Sequence, residues 1–306
     1  MKLSILFYEF IEDKKLIDGL KDNTLRAYTY FVLKRFIHDF LHDPDVSDLD
    51  IQDLRKYVAY LRSTDMKSKS IHTYYNHVKV FISYLYRNHY TDVDILRDGP
   101  TIRVYNNIKE IYYDDDLKCI FSELLGDFLE KIIIKLCFAI LIDTGIRPSE
   151  LCNIQIQDVN FHNSTILIHG SKTYADRIVP ISLPVRKYIT KYLSRRIAPI
   201  DPVDKDYLLI SRRSKTKLTH MNIKNYVNNY VKKACGIKRG TAYLFRHSFA
   251  TRSLYLGTDL YKIKTILGHT RVTTTENYLR MVSQLQMSDH VDISDTSQLL
   301  MSCLFK

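Results

Sequence analysis

The sequence predicts a mainly α chain with a small β-sheet: an N-terminal helical domain followed by an α+β domain. Three observations carry this expectation. Apolar residues recur at three- and four-residue spacing through much of the first hundred residues. Two short alternating runs, Ser164–Ile168 and Arg177–Ile181, flank a Gly-Ser-Lys-Thr turn. Between the helical beginning and the rest lies a stretch with no clean period that contains Gly99-Pro100. At 306 residues the chain has room for two ordinary domains. They are set at 1–90 and 112–306, with 91–111 as the linker.

Taken in order, Asp22 or Asn23 can cap a helix whose Leu25, Tyr28, Val32, Phe36 and Phe40 form one stripe. The run His42-Asp43-Pro44-Asp45 ends it. A second helix is expected over about Ile51 to Leu61. A third runs from near Ser70 to about Asn88, with Ile71, Tyr74, Val78, Phe81 or Ile82, and Leu85 on one face. These stripes read as core, aromatics included, and together predict a small helical bundle. Beyond the linker, helices are expected over about Asp114 to Leu125 and Leu129 to Thr144. A β-hairpin with Lys172 near its tip follows, and helices resume from about Leu183.

Composition excludes several classes. Hydrophobic residues make up 45% of the chain, enough for a core and too many for wholesale disorder. The five cysteines are scattered without a CxxC pair, so neither a zinc module nor a disulfide framework is expected. The longest apolar run, Ile132 to Ile142, contains Lys135 and falls short of the roughly 18 residues that span a bilayer. The N-terminal apolar stretch meets Glu9, Glu12 and Asp13 at once, unlike a secretory signal. A cytoplasmic protein with no membrane partner is the expectation.

The formal net charge is +11, and it is unevenly placed. Residues 1–100 are balanced and 101–150 carry −3, whereas 151–250 carry +13 and 251–306 carry +1. The densest part runs from Ser211 to Arg252. Such a segment favours a polyanion, nucleic acid before a membrane surface, because the chain has no Trp and its basic residues span several elements.

Four short stretches have residue types suited to phosphate chemistry. In Asp143-Thr144-Gly145-Ile146-Arg147-Pro148-Ser149-Glu150-Leu151, Gly145 permits a left-handed turn and Pro148 opens a helix. Arg147 is thereby held at a helix start. Lys172 sits on the hairpin. Leu244 to Thr251 contains Arg246-His247 in a helix. Leu267-Gly268-His269 ends another, and Thr273 and Glu276 then have capping-box spacing ahead of Tyr278.

In order and spacing these stretches resemble the tyrosine recombinases, the lambda-integrase family, and most closely its compact Xer-like branch. The matching segments are Thr144 to Leu151, Lys172 to Pro180, Arg246 to Thr251, Leu267-Gly268-His269 and Tyr278 nine residues further on. The resemblance covers essentially the whole chain. It implies a core-DNA-binding domain and a catalytic domain forming a C-shaped clamp on DNA, with the linker passing the duplex. Tyr278 is then the nucleophile and Arg147 and Arg246 bracket the scissile phosphate. Lys172 is the general acid and His269 a further phosphate hydrogen-bond donor. The chemistry is consistent: a tyrosine ester conserves the phosphodiester's energy, guanidinium forks suit the non-bridging oxygens, and a lysine protonates the departing 5′ oxygen. No metal and no other cofactor is implied.

One position departs from the family pattern. Where the family has His three residues before the second Arg, this chain has Tyr243. Helical spacing predicts that Tyr243 shares a face with Arg246 and donates to the phosphate or replaces the His structurally. His247, next to Arg246, is expected to point elsewhere.

The resemblance further implies a site-specific recombinase that passes through a 3′-phosphotyrosine intermediate and a Holliday junction. It would resolve dimers or cointegrates, or integrate a mobile element such as a transposon. The implied partners are double-stranded DNA with paired inverted-repeat sites and three further copies of the chain, a tetramer on two duplexes. The apolar tail, 290–306, is expected to pack into a neighbouring protomer rather than onto its own domain. The competing readings are a type IB topoisomerase-like DNA-relaxing enzyme and a catalytically inactive DNA-binding regulator.

Overall fold

A computed structural model of the protein describes residues 1–104, 110–170, 175–238, 240–286 and 293–305. The chain divides into two compact units, Met1–Asn107 and Ile108–Lys306. Helices dominate, and a three-stranded antiparallel sheet accompanies them, as the sequence predicts.

The first unit holds α1 (Leu3–Leu16), α2 (Asp22–Tyr28), α3 (Ile51–Ser63) and α4 (Ser68–Arg87). α2 continues without a break into a π-helical stretch, Thr29–His38. α1 is not among the expected helices. Its Leu3, Leu6, Phe7 and Phe10 are fully buried at helical spacing. Its start lacks a side-chain cap, since Lys2 occupies that position, so the usual sequence signal is missing. α3 begins where expected because Asp50 accepts from the Gln52 and Asp53 N–H groups, while Asp53 accepts from the Asp50 N–H. In the core, Phe10 and Phe81 meet edge-on with ring centroids 5.5 Å apart. Ile95 is buried in this core, and Leu96 and Ile102 pack against it. Much of the expected linker therefore belongs to the first unit. Residues 105–109 of it lie outside the described residues.

In the second unit, α5 (Asp114–Ser122), α6 (Leu129–Thr144) and α7 (Pro148–Leu151) precede the sheet. Strands β1 (Val159–Asn160), β2 (Thr165–Ile168) and β3 (Arg177–Pro180) pair in that order, with Ile166 opposite both Val159 and Val179. The expected hairpin is thus the β2–β3 pair. β1, two residues long, carries no period to read. There follow α8 (Leu183–Leu193), α9 (His220–Tyr226) with a π-helical continuation Val227–Ala234, and α10 (Ala242–Tyr255). α11 (Leu260–Leu267), α12 (Val272–Gln286) and α13 (Thr296–Leu304) complete it.

α6 is the centre of this unit. Every residue from Ile132 to Ile142 is buried, Lys135 included. A helix that is apolar on all sides must be covered on all sides, and α8, α10 and α13 do so. α10 in turn lies between α6 and α12. Both of its flanks are therefore covered, and this arrangement governs the site described below.

In the single chain the C-terminal tail docks on its own unit. Leu299, Leu300, Cys303 and Leu304 are buried against α5, α6 and α8. The physical reason is a latch as well as a groove. Arg252, fully buried, donates to Asp114 Oδ1 at 2.5 Å and to the Ser294 carbonyl at 2.8 Å. Asp114 Oδ2 accepts from the Ser294 N–H at 2.9 Å. Burial alone would raise the Asp114 carboxyl, but the bonds from Ser294 and Arg252 hold it below its ordinary value.

Removing one partner of a buried pair leaves the other charge uncompensated, a loss of about 3–5 kcal/mol. Arg252→Met is expected to lose that much in urea denaturation. The double variant Arg252→Met/Asp114→Leu should recover most of it.

Candidate active site

The site is assembled by two helix ends and one helix middle. α6 stops at Gly145, whose φ of 63° is left-handed. A side chain there would also collide with Phe249, since an added Cβ would lie 2.3 Å from its Cδ1. α11 stops in the same way at Gly268, φ 66°. The chain reversals turn two carbonyls toward α10. Arg246 Nη1 donates to the Gly145 oxygen at 2.8 Å, and Nη2 donates to the Leu267 oxygen at 2.7 Å. Arg246 is only 4% exposed. Burial, then the nearby Arg147, pushes its guanidinium down to about 10, so it stays charged at neutral pH.

Arg147 caps α7. Its backbone N–H donates to Glu150 Oε2 at 2.7 Å and its Nη1 to Oε1 at 2.8 Å. The same carboxylate receives Arg177 from β3, Nη2 to Oε2 at 2.7 Å and Nη1 to Oε1 at 3.1 Å. Arg177 Nε donates to the Ile266 carbonyl at 2.7 Å. A Cβ at Gly268 would press on this guanidinium at 3.2 Å, so glycine serves there twice. Burial would raise Glu150, but the bonds from Arg177 and Arg147 hold it below its ordinary range.

Tyr278 projects from α12 and is 3% exposed. Its hydroxyl lies 2.9 Å from His247 Nδ1. Burial raises its pKa, and Arg246 and Arg147 offset part of that. The His269 ring lies parallel to the Tyr278 ring, centroids 6.4 Å apart. Its Nδ1 pairs with Thr275 Oγ1 at 2.8 Å. α12 begins at Val272, so Thr273 lies inside its first turn and is not the expected cap.

Of the sequence-derived residues, Arg147, Arg246, His269 and Tyr278 come together here. Lys172 lies outside the described residues. Tyr243 is the second residue of α10, 45% exposed, with no side-chain hydrogen bond among the described residues. Three residues were not anticipated. Glu150 and Arg177 were legible in principle: strand alternation puts Arg177 on the inner face with Val179, where a cation needs a carboxylate. His247 corrects the expectation that it points away. It does lie about 100° round the helix from Arg246, but α12 packs on that flank and brings Tyr278 to it.

Chemically, two guanidiniums on one carboxylate with a third beside them make a net cationic cluster suited to an oxyanion. A buried phenol and two imidazoles stand beside it. Among the described residues no group of three or more His, Cys, Asp or Glu is placed to hold a metal ion.

Known proteins resemble this chain in sequence and in fold. Residues 114–284 match the family described as Phage integrase family, and residues 6–92 match Phage integrase, N-terminal SAM-like domain. The chain is 30% identical over 270 residues to tyrosine recombinase XerA of Pyrococcus furiosus, covering 88% of this chain and 87% of that protein. It is 27% identical over 284 residues to tyrosine recombinase XerC of Staphylococcus aureus, covering 90% and 91%. In fold it is similar to the Tn1549 transposon integrase in complex with a circular intermediate DNA, with TM-score 0.77, 18% identity and coverage of 94% and 99%. A lambda integrase dimer bound to a core site gives TM-score 0.72, 16% identity and coverage of 90% and 97%.

Glu150 has a lowered pKa, so its stabilising contribution is complete above its ordinary value of 4.5 and is lost as pH falls through the folded value. Glu150→Gln is expected to be less stable by about 2–3 kcal/mol at pH 7. The difference from the native chain should shrink as the pH is lowered below 4.5 in thermal melts.

Proposed function

The chain belongs to the phage integrase family of tyrosine recombinases, whose catalytic tyrosine acts on DNA, and on that premise we propose that it is a site-specific recombinase with Tyr278 as its nucleophile. The observation that carries the assignment of the site is the buried Tyr278 hydroxyl under the electrostatic influence of Arg246 and Arg147.

In this reading the Tyr278 oxygen attacks the scissile phosphorus. The 3′-phosphotyrosine ester forms and the P–O5′ bond breaks. Arg147 and Arg246 hold the non-bridging oxygens, where charge develops in the transition state. Arg246 is suited to this because two of its five N–H groups are committed to fixed carbonyls, which sets its orientation. Lys172 delivers a proton to the leaving 5′ oxygen, and His269 adds a hydrogen bond to the phosphate. Tyr243, a phenol at the start of α10, serves as a further phosphate donor. Attack of a 5′-hydroxyl from a second duplex reverses the step and, repeated, passes through a Holliday junction.

The first unit would contribute to the DNA grip. Asn76, Lys79, Ser83 and Arg87 share one face of α4 at three- and four-residue spacing, opposite buried Val78, Ile82 and Leu85. Basic and amide side chains in such a row suit phosphates and base edges. The partner is double-stranded DNA with paired inverted repeats, one dimer per site and a tetramer on two duplexes. α13 would leave its own groove for the equivalent groove of a neighbour, an exchange of identical elements between protomers. Resolution of dimers or cointegrates and integration of a mobile element both use this cycle. Among the described residues no helix is long and apolar enough to cross a membrane.

The test is covalent trapping on a nicked suicide duplex. The native chain should give a denaturant-resistant adduct, Tyr278→Phe none, and Arg246→Lys a rate lower by about 10²–10³-fold. Strand exchange between two short duplexes should accompany it. Relaxation of supercoils without exchange would favour the topoisomerase-like reading, and no adduct from the native chain would favour the inactive regulator.

A further inference from the structure

We infer that His247 is the proton acceptor for the Tyr278 hydroxyl, a catalytic residue at the position immediately after the second arginine. The inference rests on the reading of Tyr278 as nucleophile.

A buried phenol does not lose its proton unaided. The free group has a pKa near ~10, and burial raises Tyr278 further. The two arginines offset part of this, but they are cations and cannot take the proton. The carboxylate of the cluster, Glu150, is held by Arg147 and Arg177. Tyr243, at the place where the family pattern has a histidine, is itself a phenol and a poor acceptor at neutral pH. His247 Nδ1, by contrast, lies 2.9 Å from the Tyr278 oxygen, within the reach a general base requires. Imidazole is the side chain most often used as a general base, since one ring nitrogen of its neutral form accepts a proton.

The position is fixed by the fold. His247 sits mid-way along α10, one residue from Arg246, so a single rigid helix carries both the phosphate-binding cation and the base. The two side chains leave the helix about 100° apart. Arg246 reaches the turns at Gly145 and Leu267, while His247 faces α12. In the reactive tautomer Nε2 carries the hydrogen and Nδ1 accepts. The step balances without any further reactant. The Tyr278 proton moves to His247 Nδ1 as the oxygen–phosphorus bond forms. The P–O5′ bond breaks and the leaving oxygen takes a proton from the general acid. In the rejoining step His247 returns its proton to the tyrosine oxygen as the phosphotyrosine bond breaks.

The experiment uses the full chain on nicked suicide duplexes with either oxygen or sulfur at the 5′ bridging position. A sulfur leaving group needs no general acid, but the nucleophile still needs a base. Adduct formation by His247→Gln should fall about 10²–10³-fold on both duplexes. Lys172→Ala should be slow on oxygen and recover on sulfur. Added imidazole should raise the rate of His247→Gly at least about tenfold, as general-base catalysis allows, and leave Tyr278→Phe inactive. Equilibrium binding to an uncleaved duplex checks that the variants are folded, and the imidazole arm stands independently of the Gln variant. A His247→Gln rate equal to or above the native rate would overturn the inference. So would its recovery on sulfur, or a His247→Gly rate that imidazole leaves unchanged. With Tyr278→Phe inactive and the native chain active, these outcomes leave the nucleophile assignment standing. A native chain that forms no adduct on either duplex overturns both.

Discussion

Two hydrogen bonds from one buried guanidinium organise the second unit. Arg246 donates to the Gly145 and Leu267 carbonyls, and each of those carbonyls is presented by a helix end that only a left-handed residue permits. The ends of α6 and α11 are thereby tied to the middle of α10. Everything else at the site hangs from these three elements. Arg147 follows Gly145 by two residues, His269 follows Gly268, and Tyr278 packs on α10 from α12. Without the clamp, the buried charge of Arg246 would be uncompensated and the two turns would lose their common partner.

A second constraint is electrostatic. Arg147 and Arg177 share the single carboxylate of Glu150, and Arg246 stands near them, its pKa lowered by burial and then by repulsion from Arg147. Such a cluster is stable because carbonyl and carboxylate oxygens hold it, and it remains net positive. In the proposed function a phosphodiester would complete the charge balance, and the charge that develops in its transition state would do so more strongly. The +13 segment of residues 151–250 includes Arg177 and Arg246 of this cluster, so the net charge of the segment and of the cluster have the same sign.

Much of this was legible in the sequence, for physical reasons that differ between residues. α6 was found end to end because an apolar run closed by Gly145 leaves little choice. The β2–β3 hairpin was found by alternation. α1 escaped because Lys2 gives no capping signal, and no period reports a π-helical stretch such as Thr29–His38. The expected membership in a recombinase family agrees with the matches across both units. Periodicity says which residues share a face, not what covers it. That is why His247 was read as pointing away, although α12 waits on that side. For the same reason the apolar tail was legible as something to be buried, but not which helices, α5, α6 and α8, cover it in the single chain. The Arg252–Asp114–Ser294 latch joins residues far apart in the chain, beyond any local signal.

The central claim is that Tyr278, and no other of the 23 tyrosines, becomes joined to DNA. The most direct measurement is mass spectrometric mapping of the covalent adduct after trypsin and nuclease digestion. The account predicts a nucleotide attached through its 3′ phosphate to the peptide running from Val272 to Arg280, with Tyr278 as the modified residue. Attachment at another residue, or through a 5′ phosphate, would contradict it.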